Sequence, residues 1–533
     1  MKKRPQIKCA IFLPNLIIDR RSEYNFYDKL LKSNYLKITS IYLIKAKKNK
    51  YNYFFSNLLI RFIKLIESRF ISCNSITEQV ALKKKFLKKG VRNLSFENIN
   101  NSNFIDEISE NNLLLNFNNL KIPCVKKINP SYGIWSFSEI HANQNFLIQE
   151  LLRFLNETEI FELPLCVYKN KKNHIIRKFS FNRFNFFFQT QEFALTKTFN
   201  FALYEIKSIF EKRKFNKAIK IIKKRKELTG PFLLIIKYIF FKYIQVLYQK
   251  LIPTNLQLTN QKNYKWHLAL FSGQITTNNL KRAKIIFPPD DEFWADPFFF
   301  RNKEDEYIFF ENYEYKKKKG CIAVGKLVND NLKNIKNIIE CKYHLSYPYI
   351  FEYKDNIYLI PETHEKKRLE IWKSIKFPYK WKLHKTILQG LKIADTSIIK
   401  YRGNYWVFAN ISNDEYNDFT SELHIYKANN PLLDKLVPHK NNPVLTNCES
   451  ARNGGQVYFD SQRNLIRPSQ AYVKGIYGHH LNLSKITKLN LSEYEEKIIK
   501  KINPTFKSNI IGVHHISHNK KKSVIDIMMR KNQ

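Results

Sequence analysis

The chain has 533 residues, more than one hydrophobic core usually organises, and its 44% hydrophobic content excludes a disordered polymer. A formal charge of +45 raises nucleic-acid binding as one reading, because clustered Lys and Arg neutralise phosphates. The basic residues are spread through both halves, however, and Lys and Asn abound while Gly (13) and Pro (18) are scarce, the balance that AT-rich coding produces, so no specific nucleic-acid partner is expected.

The first residues, MKKRPQIKCAIFLP, hold only a short apolar run closed by Pro14, which predicts a first strand and not a signal peptide. Ile7 to Leu13 and Ile38 to Ile44 read as buried strands with a helical segment near Tyr24 to Leu31 between them. Tyr53 to Phe70 has helical periodicity, and Leu113 to Phe117 and Gly133 to Phe137 read as further strands. This alternation predicts a doubly wound α/β domain with a parallel sheet over residues 1–160. No G-x-G-x-x-G follows the first strand, so the dinucleotide fingerprint is absent.

Residues 161–260 read as a strand-containing extension followed by a helical connector, in which the basic stretch KRKFNKAIKIIKKRKE is expected to be helical. The apolar run Pro231 to Pro253 has the length of a bilayer span, but Lys237, Lys242 and Lys250 interrupt it at a cost of roughly 2.5–3.5 kcal/mol for each central charge. An amphipathic helix packed on protein, or in peripheral contact with a membrane through residues 231–253, fits the pattern better. The seven cysteines, Cys9, Cys73, Cys124, Cys166, Cys321, Cys341 and Cys448, are scattered and never form C-x-x-C, so neither a disulfide framework nor a zinc site is expected. A cytoplasmic, membrane-associated location follows as the expectation.

Over residues 261–533 one hairpin unit recurs: DPFFFRNKEDEYIFFEN, YPYIFEYKDNIYLIPET, DTSIIKYRGNYWVFAN, GGQVYFDSQRNLIRPSQ and HHISHNKKKSVIDI. Their turns recur at the spacing of one four-stranded blade, which predicts a five-bladed β-propeller. Aligned by turn, Asp296, Tyr347, Asp395 and Gly455 open the first strands, while Glu311, Glu362, Asn410 and Gln470 close the second, so both sets fall on one edge of the blades, at the channel mouth.

Clustered carboxylates repel, which raises at least one pKa unless a cation compensates, and such a set suits acid and base catalysis. Asp296, Glu362 and Asp395 are the candidate catalytic residues. In that role Asp296 activates water while a carboxylic acid protonates a leaving oxygen, the inverting arrangement. Glu311, His344, Tyr347, Arg452, Arg467, Gln470 and His515 are the candidate substrate contacts, with Arg368 and His364 as further compensating cations. Trp294, Tyr347 and Tyr349 are placed to stack on sugar rings, whereas Trp372, Trp381 and Trp406 are read as blade packing. No metal ligand set is assigned, although the same oxygens suit a divalent cation at the mouth. The competing structural reading is that Asp296 and Asp395 merely accept backbone hydrogen bonds at strand starts.

The segments WADPFFF, YHLSYPYIFEYKDNIYLIPET, ADTSIIKYRGNYWVFA, ARNGGQVYF, IRPSQ and GVHHIS resemble the propeller found at the N-terminus of plant glucosamine inositolphosphorylceramide transferases and in many bacterial proteins. In the plant enzymes a separate glycosyltransferase domain follows, so the resemblance does not carry sugar transfer over to this chain. The fold also resembles that of arabinanase and xylosidase-type hydrolases, where a D-P in the first blade carries the base, as Asp296 and Pro297 do by analogy. In the first domain, LLLNFNN and YGIWSFSEIHANQ are similar to the end of a formyltransferase domain, but Ser138 and Glu139 interrupt the motif and displace His141. The implied reading is a carbohydrate-active protein of cell-surface glycan biosynthesis whose propeller mouth takes a sugar, glycan or sugar-nucleotide. A non-catalytic glycan-binding scaffold and a sugar-nucleotide formyltransferase acting through the first domain are the alternatives.

Overall fold

The computed structural model describes residues 5–18, 20–44, 52–68, 76–94, 102–120, 122–137, 146–156, 159–212, 220–221, 235–244, 264–273, 275–519 and 521–530. The chain divides into two compact units between residues 257 and 258.

In the first unit, β1 (Ile7–Leu13) is buried at every position but Lys8, as expected of a strand covered on both faces. It is followed by α1 (Arg21–Lys32), which buries Phe26, Tyr27 and Leu30, then β2 (Leu36–Ile44), α2 (Asn52–Glu67), α3 (Ile76–Leu87), β3 (Val91–Leu94), α4 (Ser102–Ser109), β4 (Leu113–Leu115), β5 (Ile134–Ser136) and α5 (Phe146–Asn156). β6 (Ile160–Lys169), β7 (Lys172–Asn182) and β8 (Lys220–Ile221) extend the same sheet, with α6 (Phe187–Lys212) between the last two. The order is β3-β2-β1-β4-β5-β6-β7-β8. Pairs among β1 to β5 are parallel, and the chain reverses direction across the sheet at β1, which is doubly wound topology. β6 to β8 run antiparallel. Phe12, Tyr42, Leu114, Ile134 and Tyr168 form the core on these strands.

The basic stretch differs from its expected helix. Lys220 and Ile221 pair as a strand with Ile175 and His174, and residues 213–219 and 222–228 lie outside the described set. An edge strand, His174 and Ile175, offers backbone groups that outweigh the weak helix preference of the β-branched pair Ile221 and Ile222. Residues 235–244 form the helix α7, which buries Ile235 and Tyr238.

In the second unit, β9 (Tyr264–Ser272), α8 (Thr277–Lys281) and β10 (Lys284–Ile286) precede three regular blades. These are β11 (Glu292–Asn302) to β14 (Asn331–Ile339) through β12 (Asp305–Glu314) and β13 (Lys319–Val328); β15 (Ser346–Tyr353) to β18 (Lys380–Ile387) through β16 (Asn356–Glu362) and β17 (Leu369–Lys376); and β19 (Lys392–Tyr401) to β22 (Val437–Pro438) through β20 (Asn404–Ser412) and β21 (His424–Ala428). The fourth blade holds β23 (Arg452–Asn453), β24 (Tyr458–Phe459), β25 (Leu465–Val473), β26 (Ile476–Leu489) and β27 (Tyr494–Ile502). The fifth combines both ends of the unit: β28 (Ile510–Gly512), β29 (Ile516–His518) and β30 (Lys522–Arg530) join β9 and β10. β30 pairs with β9 from Lys522 opposite Ser272 to Arg530 opposite Tyr264, which closes the ring. Each of the five repeated hairpins is an antiparallel pair, and the first strands of neighbouring blades touch, β11 with β15, β15 with β19 and β19 with β23. This is a five-bladed β-propeller.

Three blades share one irregularity. The register slips between Ala295 and Phe298, between Ser346 and Tyr349, and between Ala394 and Ser397, so two residues oppose one each time. The first extra residue is left-handed in every case, with φ of 51° at Asp296, 46° at Tyr347 and 47° at Asp395. Gly455, which the turn alignment grouped with them, is different. In the fourth blade Gln470 faces Arg452, and Gly455 lies three residues further on, bridged to Ile516 of the closing blade with a φ of 144°.

A side chain on Gly455 would place its Cβ 2.2 Å from the Ile516 carbonyl oxygen. Gly455→Ala is therefore expected to cost about 3 kcal/mol or more in a denaturant titration, backbone strain adding to overpacking. Gly403→Ala, also at positive φ but with open space around it, is expected to cost only about 1 kcal/mol.

Candidate functional site

The bulges deliver Asp296 and Asp395 to the axis, and the strands opposite them deliver Glu311 and Glu362. Glu311 faces Ala295 and Glu362 faces Ser346, one residue before each left-handed position. All four carboxyls are nearly buried in a common field, each raised or lowered in pKa by the others.

Arg452 enters from the start of the fourth blade. Its Nε lies 2.5 Å from Asp395 Oδ2 and its Nη2 3.6 Å from Glu362 Oε2. Glu362 also meets His364 Nδ1 at 2.5 Å. Burial alone raises a carboxyl, but His364 and Arg452 outweigh it and hold Glu362 down at about 2. Asp395 goes the other way. Burial pushes it well up, Arg452 offsets this in part, and the neighbouring Glu362 and Asp296 charges reinforce it.

Asp296 is tied to the closing blade. Its amide donates to Asp526 Oδ2 at 2.9 Å, and its own Oδ2 accepts from the Tyr347 amide at 3.2 Å. His514 bridges Asp526, 2.7 Å from Nδ1, and Asp296, 3.4 Å from Nε2. Despite burial, which favours the neutral ring, Asp526 and Asp296 raise His514, and His514 in turn lowers Asp526 against its own burial. Burial pushes Asp296 up to about 6; His514 opposes that shift while Asp526 and Glu362 add to it.

Glu311 and His344 lie side by side. His344 Nδ1 accepts the Gly320 amide at 3.0 Å, so its proton sits on Nε2, 3.4 Å from Glu311. Burial raises Glu311 and lowers His344, both away from charge. Above the carboxyls lie the most open members of the group: the His344 and His364 side chains are 23% and 27% exposed, against 2% for Asp395. The Arg452 guanidinium sits 5.0 Å over the Tyr477 ring, which meets His514 edge-on.

Among the described residues, Asp296, His514 and Asp526 form a cluster able to hold a metal ion, their ligand atoms lying within 4.8 Å of one another. Both ring nitrogens of His514 lie near carboxylates there, and a divalent ion bound through the ring would compete with the proton that those carboxylates favour.

Several expected contacts have other work. Tyr347 is buried, its hydroxyl donating to the Gly455 carbonyl at 2.9 Å and its ring packed on Phe298, so it presents no face for a sugar. His515 is enclosed between Phe298 and Tyr347, and burial holds it neutral, down at about 3. Arg467 forks onto Glu496 with two 2.7 Å contacts inside the fourth blade, away from the carboxyl group. Gln470 donates to the Asn453 carbonyl, Trp294 packs on Phe310, and Tyr349 bonds the Ile398 carbonyl. Arg368 pairs with the buried Glu370. Trp372 and Trp381 bond Glu370 and the Pro378 carbonyl, and Trp406 is buried in the blade core, as read from sequence.

The mouth also contains residues the alignment missed: Asp526, His514 and Tyr477. A signal for the first existed, since an Asp within the apolar strand SVIDI demands a partner. In the first unit Asn116, within the LLLNFNN stretch, closes its own loop by donating to the Leu120 carbonyl and accepting from the Leu120 amide; Ser138, Glu139 and His141 lie outside the described residues.

Residues 257–521 match the family model described as glucosamine inositolphosphorylceramide transferase 1, N-terminal. The chain is similar to glucosamine inositolphosphorylceramide transferase 1 of Oryza sativa subsp. japonica, with 33% identity over 208 residues, or 38% of this chain and 27% of that one. Its counterpart in Arabidopsis thaliana is 31% identical over 209 residues, with the same shares. The chain thus spans 27% of the length of the curated relatives it matches. Solved structures similar to it include a family 117 glycoside hydrolase from the marine bacterium Zobellia galactanivorans, at 10% identity and a TM-score of 0.32 over 50% of this chain and 91% of that one. Another is the catalytic domain of Coprinopsis cinerea GH62 alpha-L-arabinofuranosidase, at 8% identity and a TM-score of 0.33 over 50% and 97%. Through residues 257–521 the chain belongs to the glucosamine inositolphosphorylceramide transferase 1 N-terminal family.

Proposed function

We propose that the propeller mouth binds a glycosyl unit and acts on it by carboxylate acid–base chemistry, in glycan biosynthesis. The observation that carries this reading is the spread of proton affinities in one small group: burial pushes Asp395 well up, His364 and Arg452 hold Glu362 down at about 2 against its burial, and Asp296 is pushed up to about 6. Groups whose environments push their affinities apart are what acid and base roles require. Asp296 is the base, Asp395 the proton donor, and Glu362 the anion that holds Arg452 and His364 at the rim. The similar plant proteins are glucosamine inositolphosphorylceramide transferases by name, and the amino sugar in that name fits a sugar as the partner. A second reading, a non-catalytic glycan-binding module, is favoured by one contact: Asp296 Oδ2 accepts the Tyr347 amide, a structural use of the same carboxylate.

Asn tolerates the left-handed backbone of both aspartates, so Asp296→Asn and Asp395→Asn test chemistry without breaking the bulge. With a panel of aryl glycosides and sugar nucleotides, turnover is expected to fall by about 10²–10⁴ in each variant while ligand binding, read by saturation-transfer NMR, persists. The wild-type rate should rise with pH through about 6 as Asp296 ionises. Binding without turnover in the wild type supports the module reading, and absence of binding to every glycosyl ligand defeats both.

Linkage gives an independent check. A carboxyl at about 6 instead of its ordinary 3.8 binds its proton more tightly in the folded state, so its stabilising contribution is present below pH 4 and lost as pH rises through 6. Relative to Asp296→Asn, the wild type is expected to lose up to about 3 kcal/mol of unfolding free energy between pH 4 and pH 7. A difference that stays flat with pH would show that Asp296 titrates normally.

A further inference from the structure

Two helices of the first unit expose apolar stripes on faces opposite the point where they are anchored to each other. On α2, Leu58, Phe62 and Leu65 are exposed, Leu65 to 70%, while Ile63 and Glu67 are buried. On α7, Phe240, Phe241 and Ile244 are exposed, Phe240 to 59%, while Ile235 and Tyr238 are buried. The buried faces meet: Tyr238 donates its hydroxyl to Glu67, which also accepts the Phe187 and Phe188 amides at the start of α6. At 3.6 residues per turn Leu58, Phe62 and Leu65 fall on the far side of α2 from Glu67, and Phe240 and Ile244 on the far side of α7 from Tyr238, with Phe241 on its flank.

The exposed charges at these stripes have one sign. Glu67 is the acidic residue of α2 and is turned inward, whereas the exposed Arg61 lies beside the α2 stripe and the exposed Lys237 beside that of α7, its ammonium 6.0 Å from the Phe241 ring; Lys242 is turned the other way, over the Phe186 and Tyr238 rings. The sequence from Lys212 to Lys250 has twelve Lys and Arg against Glu227 alone. No described helix is long and apolar enough to cross a membrane.

From this juxtaposition we propose that α2 and α7 together form a monotopic docking face for an anionic lipid bilayer, inserting Leu65, Phe240 and Phe241 while the flanking cations meet the headgroups. Exposed Phe and Leu on a helix with cationic flanks suit the boundary between acyl chains and headgroups. This inference is independent of the chemistry assigned to the propeller.

Flotation of the full chain with phosphatidylcholine vesicles, with and without an equal part of phosphatidylglycerol, tests it. Wild type is expected to float with the anionic vesicles, and the triple variant Leu65→Ser, Phe240→Ser, Phe241→Ser to lose at least about tenfold in partitioning with unchanged melting. Phe240→Leu with Phe241→Leu should keep binding. The proposal is overturned if wild type ignores anionic vesicles at low salt, if the triple variant binds as wild type does, which would mean diffuse charge attraction alone, or if light scattering shows a dimer that the triple variant abolishes, which would assign the face to a second copy.

Discussion

The mouth of the propeller depends on a single backbone device, the one-residue bulge whose first residue is left-handed. A non-glycine residue in that region costs on the order of 1–3 kcal/mol and persists only where its surroundings hold it. Here the holding is visible. The Asp526 carboxylate fixes the Asp296 amide, the Asp296 carboxylate fixes the Tyr347 amide, and the Tyr347 hydroxyl reaches the Gly455 carbonyl. One run of hydrogen bonds therefore passes from the fifth blade to the first, second and fourth. The residues that carry the candidate chemistry are also those that lock the blades in register, which is why side chains able to act on a ligand sit at positions of backbone strain.

The electrostatics of the mouth are decided locally and not by the surface charge of +45. Burying an ion costs several kcal/mol unless a partner lies at contact distance, and solvent-exposed lysines beyond a Debye length give little relief. Each carboxyl has found a different solution. Asp526 is lowered against its burial by the His514 ring, and Glu362 by His364 and Arg452, whereas burial raises Glu311, beside a His344 that burial lowers, and raises Asp395 beyond what Arg452 offsets.

Much of this was legible in the chain because a repeat exposes its own register. Five hairpins with turns at similar spacing located the blades, and alignment by turn brought Asp296, Tyr347 and Asp395 to one position and Glu311, Glu362 and Asn410 to another, which the strand pairing reproduces. The alignment failed where the repeat is irregular. In the fourth blade β23 and β24 are two short pieces, so the turn no longer measures distance to the axis, and Arg452, not Gly455, takes the place opposite Gln470. Side-chain direction was the other gap. Tyr347, Arg467 and His515 have the residue types of a binding site, but each is consumed by a neighbour that only the folded ring supplies. The basic stretch near Lys220 was misread because a two-residue strand has too few positions to show a period.

The register also explains why the mouth is sided. The residues facing the second-strand set are Ala295, Ser346, Ala394 and Arg452, and they face Glu311, Glu362, Asn410 and Gln470 in turn. Three small residues leave room near the axis, and the fourth blade fills it with a guanidinium that reaches back to acids of the second and third. Acids thus come from the first three blades and the arginine from the fourth, while His514 and Asp526 come from the fifth. A five-fold repeat would present the same group all round and could not tell one end of a ligand from another. Replacing one small residue by Arg452 breaks that symmetry, so Asp395, pushed well up by burial, and Glu362, held down at about 2, share one cation and yet differ in chemical character.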